Sequence, residues 1–197
     1  SGHGKVVADI AIKMNKWQSI AFLDDDQTIK TSMGLEVIGT TADAYTYKDE
    51  ADFFVAIGSN ATREKIQEKL IDERLNVVSL IHPSAVIATD VEIDIGTAIM
   101  AGVVINSSSR IGKGCIINTS ASLDHDNVIE EYVHVSPGVR TAGSVGVGMG
   151  TWLGIGSVIS NNVNICSGCK VGAGAVVVKD ITEPGTYVGV PVRREGI

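Results

Sequence analysis

The sequence predicts an α/β, Rossmann-like N-terminal domain followed by a left-handed parallel β-helix. Three observations carry that prediction. An unbroken period of six runs from about Ile87 to about Val177. Ahead of it, strand-like apolar runs alternate with helical ones. The pattern changes at His82-Pro83, which sets the domains at residues 1–82 and 83–197.

The hexad comes first because it is the stronger signal. Every sixth residue from 87 is Ile87, Ile93, Ile99, Ile105, Ile111, Ile117, Leu123, Ile129, Val135, Thr141, Val147, Leu153, Ile159, Ile165, Val171 and Val177, with Thr141 the one position that is not aliphatic. Two residues before each stands a residue that is mostly small or valine, as at Ala85, Val103, Cys115, Ala121 and Ala175. Six residues make one short strand and one turn. Three such units close a triangular coil, and each coil buries its apolar edge only by stacking on the next. Strands then pair along the axis at about 4.8 Å. The two ends need covers. The N-terminal domain supplies one, and Asp180 to Ile197, with Pro184, Gly185, Gly189 and Pro191, the other.

In the first domain, Val6, Val7, Ile10, Ala11 and Met14 mark one face of a helix. Strands are expected at 19–23, 35–38, 53–57 and 77–81. A helix is expected at 62–75, capped by Asn60 or Thr62. Gly2-His3-Gly4 reads as a turn whose backbone cradles phosphate. Such a turn normally follows a strand, and none precedes it in this sequence.

Composition excludes several classes. The 197 residues carry a net charge of -7, which disfavours nucleic acid and anionic membrane as partners. No uncharged apolar run approaches the length of a membrane span, so no membrane insertion is expected. Three cysteines, an odd number, fit a reducing, cytoplasmic setting. Cys115 and Cys169 fall on inward positions, so Cys166 and Cys169 read as packed thiols rather than a metal site, and no metal is expected to be required. A β-helix metalloenzyme would need three histidines, and the prism wall carries only His125 and His134.

Residues 18 apart lie one above the other. His125 therefore sits under Gly143 and above Ser107, with its side chain outward. Asp126 follows and can fix the imidazole tautomer. A neutral imidazole is a suitable general base. The unblocked N–H of Gly143 suits a developing oxyanion. His134 is also expected to point outward, half a turn away, so that the two histidines meet only between two prisms. That predicts a homotrimer with active sites between subunits. Trp152, one coil from His134, is placed to touch a cofactor or a neighbouring subunit.

The hexad array, Ser1-Gly2-His3-Gly4 and the stretch from Asn118 to Asp126 resemble the hexapeptide sugar acyltransferases of the sialic acid O-acetyltransferase and bacterial PglD type. Phe22-Leu23-Asp24-Asp25, Ala56-Ile57-Gly58-Ser59-Asn60 and His134-Val135-Ser136-Pro137-Gly138 carry the same resemblance, which is greatest to the UDP-4-amino-sugar N-acetyltransferases. The resemblance implies acetyl-CoA as donor and a UDP-linked amino sugar as acceptor. It implies His125 as base, Asp126 as its orienting carboxylate and Gly143 as oxyanion donor. It also implies His134 near the thioester and Asn118 in the acceptor pocket. Gly2, His3 and Gly4 would hold the phosphates, with Asp24, Asp25 and Ser59 around the nucleoside. Val7 stands where a dinucleotide fingerprint has its third glycine, so acetyl-CoA is expected rather than NAD. Transfer to a hydroxyl of sialic acid or another sugar is the alternative.

Overall fold

The computed structural model describes residues 2–196. Its larger part is a left-handed parallel β-helix of two-residue strands in three walls. The first wall stacks six strands from Val86–Ile87 to Val176–Val177. The second stacks five, from Glu92–Ile93 to Asn164–Ile165. The third starts at Leu80–Ile81, runs through Ala98–Ile99, Ile116–Ile117, His134–Val135, Trp152–Leu153 and Lys170–Val171, and ends on Thr186–Val188 and Arg193–Arg194. Each strand pairs with the residues 18 further on, as Ile117 does with Val135 and Val135 with Leu153. The aliphatic positions and the positions two before them form one continuous buried cluster. Thr141 is buried in that row like the aliphatics, and its hydroxyl reaches the Ser122 carbonyl at 3.5 Å.

Three polar residues at the inward small position are hydrogen-bonded by a repeating rule, whereas the Ser157 hydroxyl at the same kind of position has no partner among the described residues. The side chain donates to the carbonyl 15 residues on: Thr97 to Gly112 at 2.9 Å, Ser109 to Asp124 at 3.0 Å, Thr151 to Cys166 at 3.1 Å. The same oxygen accepts from the N–H 18 residues on, as Thr97 does from Cys115 at 3.0 Å. Burial without such partners would cost about 1–3 kcal/mol per group. Each corner also needs a left-handed residue three after the aliphatic, and Ser108, Asp126, Tyr132 and Asn162 serve there at φ near 60° beside the glycines.

The N-terminal domain departs from the expected parallel sheet. Helix α1 is Gly2–Met14. The strands are β1 (Phe22–Leu23), β2 (Thr31–Ser32), β3 (Leu35–Gly39), β4 (Asp52–Phe53) and β5 (Asn76–Val77). They form a β1-β3-β2 sheet, with β2 antiparallel to β3, and a separate β4-β5 pair. A 3-10 helix at Thr41–Tyr47 and the hairpin strand β2 have no counterpart in the expected element order. The predicted strand at 77–81 is split: Val77 belongs to this domain, whereas Leu80–Ile81 is the first strand of the third wall. Ile81 lies six before Ile87, on the same hexad register. Apolar runs alone do not say which sheet a strand joins, so the boundary falls earlier than the period suggests.

Helix α2 (Asn60–Asp72) fixes this domain to the β-helix. Its cap is Ser59, whose side chain accepts from Thr62 N, rather than Asn60 or Thr62. Asn60, Arg63 and Gln67 fall on one helical face. Asn60 Nδ2 donates to Gly150 O at 2.9 Å, and Gln67 Nε2 to Ile95 O at 3.3 Å. Between them Arg63, fully buried, gives Nε to Gly114 O at 2.6 Å and Nη2 to Tyr132 O at 3.1 Å. Gly114, Tyr132 and Gly150 lie 18 residues apart at successive corners, and Ile95 lies one residue before the corner glycine Gly96 below them. A helix turn rises about 5.4 Å and a coil about 4.8 Å, so successive turns of α2 meet successive coils. Arg63 completes its five donors with Ile57 O, Gly58 O and Asn60 Oδ1.

Arg63→Met removes all five bonds and strands buried carbonyls on both sides of the junction. The expected loss is about 3 kcal/mol of unfolding free energy, read as a lower midpoint in urea denaturation. A midpoint equal to that of the unchanged protein would show that docking does not rest on Arg63.

Candidate active site

The expected site residues fall into two main groups on different sides of the prism. The first occupies the corner between the first and second walls, after strand Ser122–Leu123. His125 is exposed there, as expected, and its Nδ1 lies 2.7 Å from Asp126 Oδ2. Asp126 is the left-handed residue of this corner, at φ 58°. The same backbone bend that turns the coil therefore brings its carboxylate beside the ring. His125 N donates to Asp124 Oδ1 at 2.9 Å, and Asn106, one coil below, donates to that oxygen at 2.9 Å. The Asp126 hydrogen bond raises the imidazole pKa above its usual value, with the charges of Asp124 and Asp126 adding to it. Asp124 is held low by Asn106 and the His125 N–H.

Gly143 stands over the ring. A Cβ there would lie 2.5 Å from His125 Cε1 and 2.6 Å from Nε2, so only glycine leaves the imidazole its place. The Gly143 carbonyl accepts from Asn162 N at 3.0 Å, while its N–H donates in no hydrogen bond among the described residues. With Nδ1 turned to Asp126, Nε2 is the edge left to accept a proton.

Asn127 lies fully buried under this corner, four residues after Leu123 on the inward side. Its Nδ2 donates to Asp124 O at 2.7 Å, Ala142 O at 2.9 Å and His125 O at 3.2 Å. The signal was in the sequence: a carboxamide at an inward position that elsewhere holds valine, alanine, serine, threonine or cysteine.

The second group lies on the third wall beneath the N-terminal domain. His134 was expected to point outward into an intersubunit gap. It does leave the prism core, but α2 and the segment before it cover the wall, and the ring is only 7% exposed. It stacks on Trp152 at 4.6 Å between centroids, and its Nε2 is 3.1 Å from Asn118 Nδ2. Trp152 is anchored by Nε1 donating to Ser136 Oγ at 2.8 Å. Burial pushes the His134 pKa down to about 4, and the charge of Arg63 adds to this. His3 is lowered to about 4 by the same causes. Gly2-His3-Gly4 is not a free turn but the first turn of α1, because the apolar face from Val7 onward carries the helix back to residue 2. His3 Nε2 and His134 Nδ1 are buried without hydrogen-bond partners among the described residues.

The remaining expected residues stand apart. Ser59 caps α2. Asp24 and Asp25 follow β1: Asp24 accepts from Asp26 N at 3.0 Å and Asp25 from Thr41 N at 2.8 Å. Asp25 lines a groove of about 480 Å³ with Thr41, Tyr45, Lys65 and Lys69, and no β-helix residue borders it. Cys115 and Cys169 are buried with pKa values pushed up to about 12 by desolvation, which leaves them poor nucleophiles. Among the described residues no group of three or more His, Cys, Asp or Glu is arranged to hold a metal ion. No helix is long and apolar enough to cross a membrane.

Three of the four histidines should titrate apart. In an imidazole NMR titration His125 is expected to protonate above pH 6.5, and His3 and His134 only near pH 4. Between those values the unfolded chain binds protons at positions 3 and 134 that the folded chain does not, so stability falls as pH drops from about 6.5 to about 4. A melting temperature flat across that window would contradict the burial of these two rings.

Residues 1–70 match a family model described as the PglD N-terminal domain. The acetyltransferase domain of PglB from Neisseria gonorrhoeae FA1090, in complex with acetyl coenzyme A, is 36% identical with a TM-score of 0.95, over 98% of this chain and 95% of that one. PerB from Caulobacter crescentus, in complex with CoA and GDP-perosamine, is 36% identical with a TM-score of 0.94, over 100% of this chain and 94% of that one. The UDP-N-acetylbacillosamine N-acetyltransferase of Bacillus subtilis (strain 168) is 35% identical over 105 residues, 51% of this chain and 48% of that protein. The chain spans between 28% and 66% of the lengths of the curated relatives it matches. An N-terminal domain of the PglD kind, docked on a hexapeptide β-helix that overlays these acetyltransferases along nearly its whole length, places the chain in the PglD/NeuD-type family of hexapeptide sugar acyltransferases.

Proposed function

We propose that the protein moves an acetyl group from acetyl-CoA to the amino group of a UDP-linked 4-amino sugar, with His125 as general base. The observation that carries the reading is the His125–Asp126 pair at 2.7 Å under a glycine whose N–H is unengaged. The likeness to an acetyltransferase domain solved with acetyl-CoA and to PerB solved with CoA supports the donor. The perosamine enzyme of Caulobacter crescentus and the UDP-N-acetylbacillosamine enzyme of Bacillus subtilis are both named as N-acetyltransferases, which favours N- over O-acetylation.

In this reading the acceptor nitrogen attacks the thioester carbonyl carbon, forming the C–N bond. Its proton passes to His125 Nε2, and Asp126 holds the Nδ1–H and steadies the imidazolium. The Gly143 N–H holds the oxyanion. The intermediate collapses with cleavage of the C–S bond, and the proton leaves on the CoA thiol. His134 is the weaker candidate for base. A ring whose pKa lies near 4 and whose Nε2 meets Asn118 has little drive to take a proton at neutral pH. Its stacked pair with Trp152 suits the acyl donor instead, and Asn118 the acceptor. His3 with Gly2 and Gly4 would face the sugar nucleotide's phosphates, and Asp24, Asp25 and Ser59 its nucleoside. The likeness to PerB with GDP-perosamine supports a second reading for the nucleotide, GDP. Comparing kcat/KM for UDP- and GDP-linked 4-amino sugars separates the two.

The two groups of site residues stand on different sides of one prism. This supports a homotrimer in which one subunit's His125 corner faces the next subunit's third wall. Analytical ultracentrifugation is expected to give a particle three times 20.6 kDa. A stable monomer with full activity would rule the arrangement out.

His125→Ala is expected to lower kcat by about 10²–10⁴-fold while the KM for acetyl-CoA hardly changes. Activity should rise with pH as His125 loses its proton, with a midpoint above 6.5. Asp126→Asn keeps a hydrogen-bond partner and loses the charge, so the loss is smaller and the midpoint moves down. Near-normal kcat in His125→Ala at pH 7.5 would end this reading.

A further inference from the structure

We infer that Asn127 is a positioning residue for the transfer step, holding the oxyanion-donating peptide of Gly143 and the backbone of His125 in one register. The inference rests on the function proposed above and adds a residue to it.

The geometry is specific to this corner. Asn127 has two amide hydrogens, and its Nδ2 lies within hydrogen-bond reach of three carbonyls: Asp124 O at 2.7 Å, Ala142 O at 2.9 Å and His125 O at 3.2 Å. Two belong to the loop carrying the base. The third belongs to the peptide unit that links Ala142 to Gly143. A trans peptide is planar, with its C=O and N–H pointing in opposite directions. A grip on Ala142 O from inside the prism therefore turns the Gly143 N–H outward, to the face where the His125 ring lies. One buried carboxamide sets the direction of the oxyanion donor and the backbone of the base together.

Folding alone does not ask for this carboxamide. The same column of the prism, 18 residues apart, contains Val91, Ser109, Asn127, Val145 and Val163. Val145 and Val163 are buried in the same core, and they offer the coil above them no side-chain hydrogen bond. Ser109 donates to one carbonyl, 15 residues on, and accepts from Asn127 N at 3.2 Å. Asn127 alone in the column reaches three carbonyls. It does so at a cost, since its Oδ1 is buried with no hydrogen-bond partner. No other residue of this column carries that burden, and the coil that does is the coil of His125.

Two variants taken from the same column test this. Asn127→Val keeps the shape and removes the grip; Asn127→Ser keeps the single bond to Ala142 O that Ser109 shows one coil below. Asn127→Val is expected to fold, with a sedimentation profile like that of the unchanged protein. Its kcat should fall about 10–100-fold, in the range of a misplaced reacting geometry, with the KM values for acetyl-CoA and acceptor within about twofold. The pH midpoint should stay where it was, because the His125–Asp126 pair is untouched. Asn127→Ser should recover most of the lost kcat. A kcat within twofold of normal in Asn127→Val overturns the inference, as does Asn127→Ser no faster than Asn127→Val. Failure of both variants to fold also overturns it, since Asn127 would then be a requirement of the fold. His125→Ala, measured alongside, separates the cases: if it stays fully active the general-base reading itself is wrong, whereas an inactive His125→Ala beside a normal Asn127→Val removes only the role of Asn127.

Discussion

The buried guanidinium of Arg63 is the constraint on which the rest of the molecule depends. It has no carboxylate partner among the described residues. Five neutral oxygens take its five donors, from Gly114 and Tyr132 of the β-helix and from Ile57, Gly58 and Asn60 of its own domain. Burial lowers its pKa to about 10, so it remains charged at neutral pH. A cation so placed is costly to desolvate, and it is tolerated because every N–H is used. Tyr132 can deliver its carbonyl there because its ring fills the space that Gly114 leaves open: a Cβ on Gly114 would lie 2.2 Å from the ring. The tyrosine hydroxyl then reaches Glu68 at 2.5 Å, which also pairs with Lys113 at 2.8 Å. The junction is thus a set of directional bonds laid along a helix whose pitch nearly equals that of the solenoid.

That junction sets the electrostatics of the third wall. The charge of Arg63 and the loss of water act in the same direction on His3 and His134, and both rings are neutral at physiological pH. The corner between the first and second walls is the opposite case. It is exposed to water and carries two carboxylates, and the imidazole there becomes more basic. One fold therefore holds two kinds of histidine, one made more basic by neighbouring carboxylates and others made less basic by burial.

The hexad corner explains how so short a stretch carries so much chemistry. Three successive positions after Leu123 have fixed geometries. The second points out, the third is left-handed, and the fourth points in. His125, Asp126 and Asn127 occupy them in that order. Other corners put the same three positions to different uses: Lys113 pairs with Glu68, and Tyr132 gives its carbonyl to Arg63. Specialising one corner required no change of backbone, only of side chains.

The sequence by itself determined the β-helix. A period of six can be satisfied only by coils that stack in register, so the list of inward residues and the vertical pairing of His125 with Gly143 followed from counting. It determined the strand and helix content of the first domain less well: strand 77–81 is shared between two sheets, and the 3-10 helix at Thr41–Tyr47 leaves no periodic trace. Tertiary structure alone decided the burial of His134 and the contacts of Arg63 and Gln67. Each of these depends on what lies opposite the residue rather than beside it in the chain. A polar residue on α2 looks solvent-exposed to any periodic reading, and only the matched rise of helix and solenoid turns that face into an interface.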